Sequence, residues 1–474
     1  MRRLATNSTS QPATINAGFR RHQRLKALAM VVALVGLALP VRAQFAPTTN
    51  IWFSQPLSLA DAINVALEQS PRILQAKKEV EAIEGVVVQT RAVALPKVSA
   101  IGRYGALEPS DVDRPEFFPS GVTFGTEQSW GAQVRLTQSL YEGGRITSAL
   151  RTANLTRQQS LLNYQTAVTD TMFIIETSYY DVLLADQQIT VQQASVELLS
   201  RQLADVTRRF DAGVIPRFNV LRAEVELANA KPKLIRARND LRTTKNRLAN
   251  LLGFNLPKDG LADIPLTLSG KLEAPSSLIP LPAAIATAMS RRTELKALQK
   301  TEAIRKEDII NARAGYKPSL QAFGGYDAHN TMFSPDISRE VHGWITGVQV
   351  SWDLFDGLRT QGRVQEAKAR YEQAGIDLED SARRIELDVR VAHSNFIEAQ
   401  DVLESQRKVL EQADEALRLA ESRFQAGTGT QLDVLGAQTA LTDARTTQVQ
   451  ALHDAAVARA RLERAIGLNL VPGS

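Results

Sequence analysis

Apolar and polar positions change period along this chain, and the whole order then repeats. From Leu161 an apolar residue recurs at every seventh position: Leu161, Val168, Ile175, Val182, Ile189, Val196, Leu203 and Phe210. A second ladder, Ala382, Val389, Phe396, Leu403, Leu410, Leu417 and Phe424, stands in the same register further along the chain, so that Phe424 answers Phe210. A seven-residue repeat keeps one apolar seam against a neighbouring helix and implies left-handed supercoiling. The spacing predicts long helices over 145–210 and 358–424. The first would be about 100 Å long at the helical rise of ~1.5 Å per residue. After a short turn a further helix, about 217–252, brings the chain back.

Ahead of each long helix the period drops to two, the signature of strands with one apolar face. Strands are expected at about 97–107 and 128–141, and again at about 319–328 and 343–355. In the clearest of them Trp130, Ala132, Val134, Leu136 and Leu140 share one face, and Gly131, Gln133, Arg135, Thr137 and Ser139 the other. A helical pattern precedes each strand pair. The first runs from Leu57, with Ser58 as N-cap, to about Val93 with a break at Ser70-Pro71, and 279–314 resembles it.

The chain is therefore a tandem repeat of helix, strand, strand, long helix, turn and helix. A first repeat covers 44–253, a linker with Pro257, Gly260, Pro265, Gly270 and Pro275 covers 254–279, a second repeat covers 280–468, and 469–474 is a short tail. The first helix and strand match at an offset of 222, and everything later at 214. The eight-residue difference falls inside the strand–strand loop, where a true repeat tolerates insertion.

The long helices both end in one motif. Arg209-Phe210-Asp211-Ala212-Gly213-Val214 returns as Arg423-Phe424-Gln425-Ala426-Gly427-Thr428, and seven of the fifteen positions from 209 to 223 match their counterparts. Glycine there is a helix C-terminal cap. The two flanking helices of one half together are little longer than the long one, and both run antiparallel to it. They are expected end to end beside it, with the linker near the middle of the rod.

Composition changes the picture in three places. Ala, Leu and Arg are the most frequent residues, a helix-rich balance. The formal charge of +5 comes from residues 1–43, which hold seven Lys or Arg and no acid, so it argues nothing for nucleic acid. Arg20, Arg21, Arg24 and Lys26, then the apolar run Ala27 to Leu39, then Val41-Arg42-Ala43, read as a signal peptide over 1–43. There is no cysteine, which excludes disulfides, thiol catalysis and a lipid-modified N-terminal cysteine. No run of 18 apolar residues follows the leader, so any membrane entry must use strands. The five His are scattered and no phosphate loop or nucleophile–base pair is present, so no cofactor, metal site or catalytic residue is expected.

Four strands cannot close a barrel, and an open sheet edge cannot sit in lipid. Three chains would supply twelve strands and two chains eight; closure by trimerisation is the natural inference. Three of the four Trp residues, Trp130, Trp344 and Trp352, fall in the strand segments, where membrane-interface aromatics belong. A soluble protein with a solvated strand face is the alternative for the strands.

The order of these segments, the Leu140-Tyr141-Glu142-Gly143-Gly144-Arg145 and Leu354-Phe355-Asp356-Gly357 strand-to-helix junctions, and the two Phe-x-Ala-Gly turns followed by Val-Leu resemble the TolC family of outer membrane efflux proteins over about 55–468. The resemblance implies a mainly α fold with a membrane β-barrel, built as a trimeric twelve-stranded barrel continuous with a periplasmic α-helical tunnel. It implies an exit duct for tripartite efflux pumps or type I secretion, working with a periplasmic adaptor and an inner membrane pump, in the outer membrane. It places the turns at the periplasmic tip, with Asp433 and the matching Asn219 at the pore entrance. Gly436 stands where a second acid is often found. It also matches Ala212, Gly213, Val214, Ala426, Gly427 and Thr428 to the grooves that receive the adaptor. Asp433 and Asn219 are equally good capping residues for the helices they begin. Arg103, Gln133, Arg135 and Asp353 are candidates for the barrel lumen. The runner-up function is a periplasmic coiled-coil structural or adaptor protein, which would not duplicate the strand pairs.

Overall fold

The computed structural model of the chain describes residues 56–108, 127–255, 264–273, 279–331 and 337–468. The leader 1–43, most of the first strand–strand loop, parts of the linker and the tail 469–474 lie outside the described residues.

The first repeat comprises α1 (Leu59–Gln69), α2 (Pro71–Arg91), β1 (Lys97–Ala106), β2 (Gln128–Glu142), α3 (Arg145–Asp211) and α4 (Arg217–Leu252). The second comprises α5 (Leu281–Arg291), α6 (Thr293–Arg313), β3 (Ser319–Asn330), β4 (Glu340–Ser351), α7 (Arg359–Gln425) and α8 (Gln431–Ile466). The break at Ser70-Pro71 separates two helices. Pro71 opens α2 at a position where its missing N–H costs nothing, and Ser58 caps α1 by accepting from the Asp61 N–H at 3.1 Å. A one-turn 3₁₀ helix, Ala92–Ala94, leads into β1, and its counterpart Ala314–Tyr316 leads into β3.

The fourth strand lies earlier than its pattern suggested. It starts at Glu340, not 343, and ends at Ser351, not 355. Its one neighbour among the described residues sets the end: Ser351 pairs with Ser319, and beyond Ser319 comes Pro318, which has no N–H for a ladder. Trp352 and Asp353 therefore lie just past the strand.

Both long helices have 67 residues. In the half nearer the strands, helices pack side by side in the order α2–α3–α6–α7; in the half nearer the turns the order is α4–α3–α8–α7. Each repeat thus lays its two short-helix segments along its own long helix, and the repeats meet where α3 touches α6 and α8.

The core is built twice at mid-length. Ile175, Tyr179 and Val182 of α3 pack with Ala62, Ala66, Leu248 and Leu252. Val389, Ala392 and Phe396 of α7 pack with Ala284, Ala288, Leu462 and Ile466. The linker closes the first of these, with Ile264 and Leu266 in the core and a parallel bridge between Leu57 and Leu268. Tyr179 is buried among them; its hydroxyl donates to the Leu57 carbonyl and accepts from the Gly270 N–H, both at 3.0 Å.

A polar ladder ties the repeats along the α3–α8 seam. Arg464 bonds Asp170 of α3 through Nε at 2.6 Å and Glu294 of α6 through Nη2 at 2.6 Å. Further on, His453 lies between two carboxylates, with Nε2 2.9 Å from Asp181 and Nδ1 3.0 Å from Asp454. Burial opposes a charge on His453, yet its hydrogen bonds to the Asp181 and Asp454 carboxylates outweigh it and raise its pKa.

Candidate functional site at the paired turns and the strand sheet

The two turns, one from each repeat, share a backbone design. In the first, the Val214 N–H reaches the Arg209 carbonyl at 3.0 Å; in the second, the Thr428 N–H reaches the Arg423 carbonyl at 3.0 Å. These bonds close the last helical carbonyls and need a left-handed residue, supplied by Gly213 at φ +72° and Gly427 at φ +75°.

Beyond the glycines the turns differ. Thr430 caps α8, accepting from the Asp433 N–H at 3.2 Å, while the Asp433 carboxylate accepts the Thr430 N–H at 2.9 Å and its hydroxyl at 2.7 Å. This reciprocal pair is a capping box. The backbone N–H, then the hydroxyl, hold the exposed Asp433 carboxyl below the usual carboxylate range. In the first turn Pro216 takes the cap position and makes no side-chain cap bond. Asn219 stands where Asp433 stands, and its backbone carbonyl accepts from Gln431 Nε2 at 3.3 Å. The capping function that sequence allowed to both residues belongs to Asp433 alone.

Two contacts join the turns into one tip: the Gln431–Asn219 bond and the Arg209 guanidinium lying 4.9 Å above the Phe424 ring. Asp205 orients that guanidinium from 2.9 Å. Ala212, Gly213, Val214, Ala426, Gly427 and Thr428 are all exposed. So are two apolar side chains that sequence reasoning passed over, Phe218 at 67% and Leu432 at 52%; their place off the buried heptad seam was the available signal.

At the opposite end the four strands form one antiparallel sheet in the order β1-β2-β3-β4. Its register separates two faces. Ser99, Arg103, Gln133, Arg135, Thr137, Asp327 and His329 share one, and on it Arg135 stacks 4.4 Å above Phe323. Val98, Tyr104, Trp130, Val134, Leu136, Tyr326, Trp344 and Val348 share the other. Tyr104 pairs with Trp130 and Tyr326 with Trp344, whose rings meet edge to face at 5.3 Å. The first pair stands near the loop end of the sheet and the second four residues further from it, level with Val134. Trp352 sits at the helix end, its Nε1 donating to the Tyr316 carbonyl at 3.2 Å. Trp344 is 83% exposed and Trp352 56%. Among the described residues no helix is long and apolar enough to cross a membrane.

The comparisons with known proteins agree with this geometry. The family model described as "Outer membrane efflux protein" matches residues 62–254 and 284–468, one match per repeat. The chain is 24% identical over 416 residues to outer membrane protein TolC of Vibrio cholerae, covering 86% of this chain and 90% of that protein. It is equally 24% identical over 416 residues to the cobalt-zinc-cadmium resistance protein CzcC of Cupriavidus metallidurans, covering 87% and 90%. Among solved structures it resembles the outer-membrane channel OprN, with a TM-score of 0.73, 19% identity, and 86% and 89% of the two chains covered. The open-state MtrE outer membrane channel of Neisseria gonorrhoeae superposes with a TM-score of 0.70, 19% identity, and 86% and 88% covered. A strand pair in each half and a family match over both halves set aside the adaptor alternative. The chain belongs to the outer membrane efflux protein family and is an exit channel of the outer membrane.

Proposed function

We propose that three copies of the chain close a twelve-stranded barrel continuous with a tunnel of helices, and that this trimer is the passive outlet of a tripartite efflux or type I secretion machine. The observation that carries the reading is the four-stranded sheet with open edges at β1 and β4 and one apolar face, rooted on four abreast helices that end in paired turns. Open edges cannot remain unpaired in lipid. Three copies give a strand number within the range of outer membrane barrels.

The apolar face meets lipid, with Trp130 toward one interface, Trp352 toward the other and Trp344 on the same face between them. The Arg103, Gln133 and Arg135 face lines the lumen. The tip is the periplasmic entrance: Asp433 forms a ring of three carboxylates that favours cations, and Asn219 lies beside it. The exposed turns, with Val214, Phe218 and Leu432, receive a helical hairpin of the periplasmic adaptor, which couples the duct to an inner membrane pump. The chain carries no catalytic step and takes its energy from that pump.

The test is purification from outer membranes in mild detergent, mass determination, and conductance in planar bilayers. A trimer that forms pores and shifts on heating in a gel is expected. A monomer without conductance would overturn the proposal.

A further inference from the structure

The four helices of the turn half run α4–α3–α8–α7, so α4 and α7 are outermost. Helix α4 buries Ala223, Ala230 and Ala237 along the side that packs on α3. Its opposite side carries a second seven-residue ladder left in the open. Leu221, Ala228 and Ile235 form it, with Val225 and Pro232 between them; Ile235 is 66% exposed and Val225 55%. Beside this stripe Lys231, Arg238 and Lys245 recur at the same spacing. In all, α4 holds nine Lys or Arg against three acids, whereas α8, its counterpart in the second repeat, holds four of each. Among the described residues Lys231, Arg236 and Arg238 have no ion pair, so this charge is not spent inside the chain.

The other outermost helix is its complement. Between Glu398 and Glu421, α7 holds seven acids against three bases. Its seam of Val389, Phe396 and Leu403 is buried against α8, and the opposite side presents Glu398 and Asp401, flanked by Glu404 and Glu411. Glu404 is held only by Lys408 of its own helix, in a pair exposed on both sides; Glu398, Asp401 and Glu411 have no ion pair among the described residues. Heights match as well. Lys231 stands two heptads from Arg217, the turn end of α4, and Glu411 stands two heptads from Gln425, the turn end of α7. Arg238 and Glu404 each stand three heptads from those same ends. Helix α4 runs away from the turns and α7 toward them. An α4–α7 pair is therefore antiparallel, with the basic ladder level with the acidic one.

The sheet says which molecule brings the acidic helix. The unpaired edge β1 is on the α2 and α4 side of the chain, and the unpaired edge β4 leads into α7. A second copy that sets its β4 beside this β1 also sets its α7 beside this α4. That contact is head-to-tail, the kind that closes into a ring. We propose that α4 of one chain docks on α7 of the next through the apolar Leu221–Val225–Ala228–Pro232–Ile235 stripe, flanked by Lys231–Glu411 and Arg238–Glu404 pairs. The inference rests on the ring proposed above and adds the surface, register and charge pattern that join its members in the turn half.

The chain has no cysteine, so introduced thiols report cleanly. In the full-length protein carrying Lys231→Cys and Glu411→Cys, a short bis-maleimide should give covalent dimers and trimers on a denaturing gel. The two positions sit at opposite sides of one chain's helical layer and cannot join internally. Without thiol substitutions, Lys231→Glu with Arg238→Glu should lower trimer yield, and adding Glu404→Lys with Glu411→Lys should restore it. A stable trimer that shows neither the cross-link nor the charge rescue would overturn the register while leaving the ring intact. A monomer under all conditions would overturn both. Cross-linking of residue 231 to a different protein in place of a second copy would also refute the proposal.

Discussion

Replacing Tyr179 by Phe isolates one hydroxyl at the mid-length core. That oxygen is buried, donates to the Leu57 carbonyl and accepts from the Gly270 N–H, so it pins the linker to α3. Phenylalanine fills the same space and removes only the bonds. The Leu57 carbonyl keeps a second donor, the Ser269 N–H at 3.1 Å, and stays satisfied. The Gly270 N–H loses the hydroxyl that is its partner, and because Gly270 is itself exposed, water replaces part of the bond's value. A hydrogen bond exchanged for one to water is worth about 0.5–1.5 kcal/mol. Local opening of the linker should become easier by that amount, roughly two- to twelvefold in population at 1.4 kcal/mol per factor of ten. Hydrogen exchange by mass spectrometry on a peptide spanning 264–273 reads this directly. Tyr180→Phe is the control, since its hydroxyl bonds Glu176 at 3.1 Å and does not touch the linker. Exchange in Tyr179→Phe within twofold of the parent would refute the reasoning, as would an equal effect from Tyr180→Phe.

Three further outcomes follow from the seam and the tip. Asp433→Asn should move the cation-to-anion permeability ratio of the pore toward unity in planar bilayers. Thr430→Ala, which removes the cap and keeps the charge, should leave the ratio intact; equal effects of the two would assign Asp433 to helix capping alone. In Gly427→Val the added Cβ meets no atom within 4 Å, but a branched residue is forced to φ +75°, a strain of about 1–2 kcal/mol; adaptor cross-linking and export should both fall, while trimer yield holds. The His453 pKa is raised in the fold, so its bridge between Asp181 and Asp454 stabilises the α3–α8 seam below about pH 6.5 and is lost as pH rises through the folded value. Proteolytic resistance should therefore decline from pH 6 to pH 8.5, and His453→Gln should flatten that decline.

The heptads told which stripe of each long helix is apolar but not what covers it. Val168, Ile175 and Val182 are buried because α1, α2, α4 and the linker converge on them, whereas Leu161 and Phe210, on the same ladder, stay more than one-third exposed in the single chain. Period alone cannot separate those cases, since the covering element is remote in sequence. Strand alternation showed both faces of the sheet, and Arg103, Gln133 and Arg135 do share one. It misplaced the end of β4, because strand ends depend on the partner, and Pro318 stops that partner. The anchors at mid-length left no sequence signal at all. Tyr179 holds the carbonyl of Leu57, and its counterpart in the second repeat, His393, meets the carbonyl of Ile279 at 3.1 Å. The repeats thus keep a contact while changing the side chain that makes it, so residue matching misses what a shared backbone preserves. At the tip the reverse holds. Gly213 and Gly427 match in type and in φ, yet Asp433 closes a capping box and Asn219 does not, because Pro216 occupies the cap that Thr430 fills in the other turn. Duplication fixed the bend of both turns and left the residues beside it free to diverge. The acid that caps its own helix, and with it the grip on α8, therefore falls to the second turn.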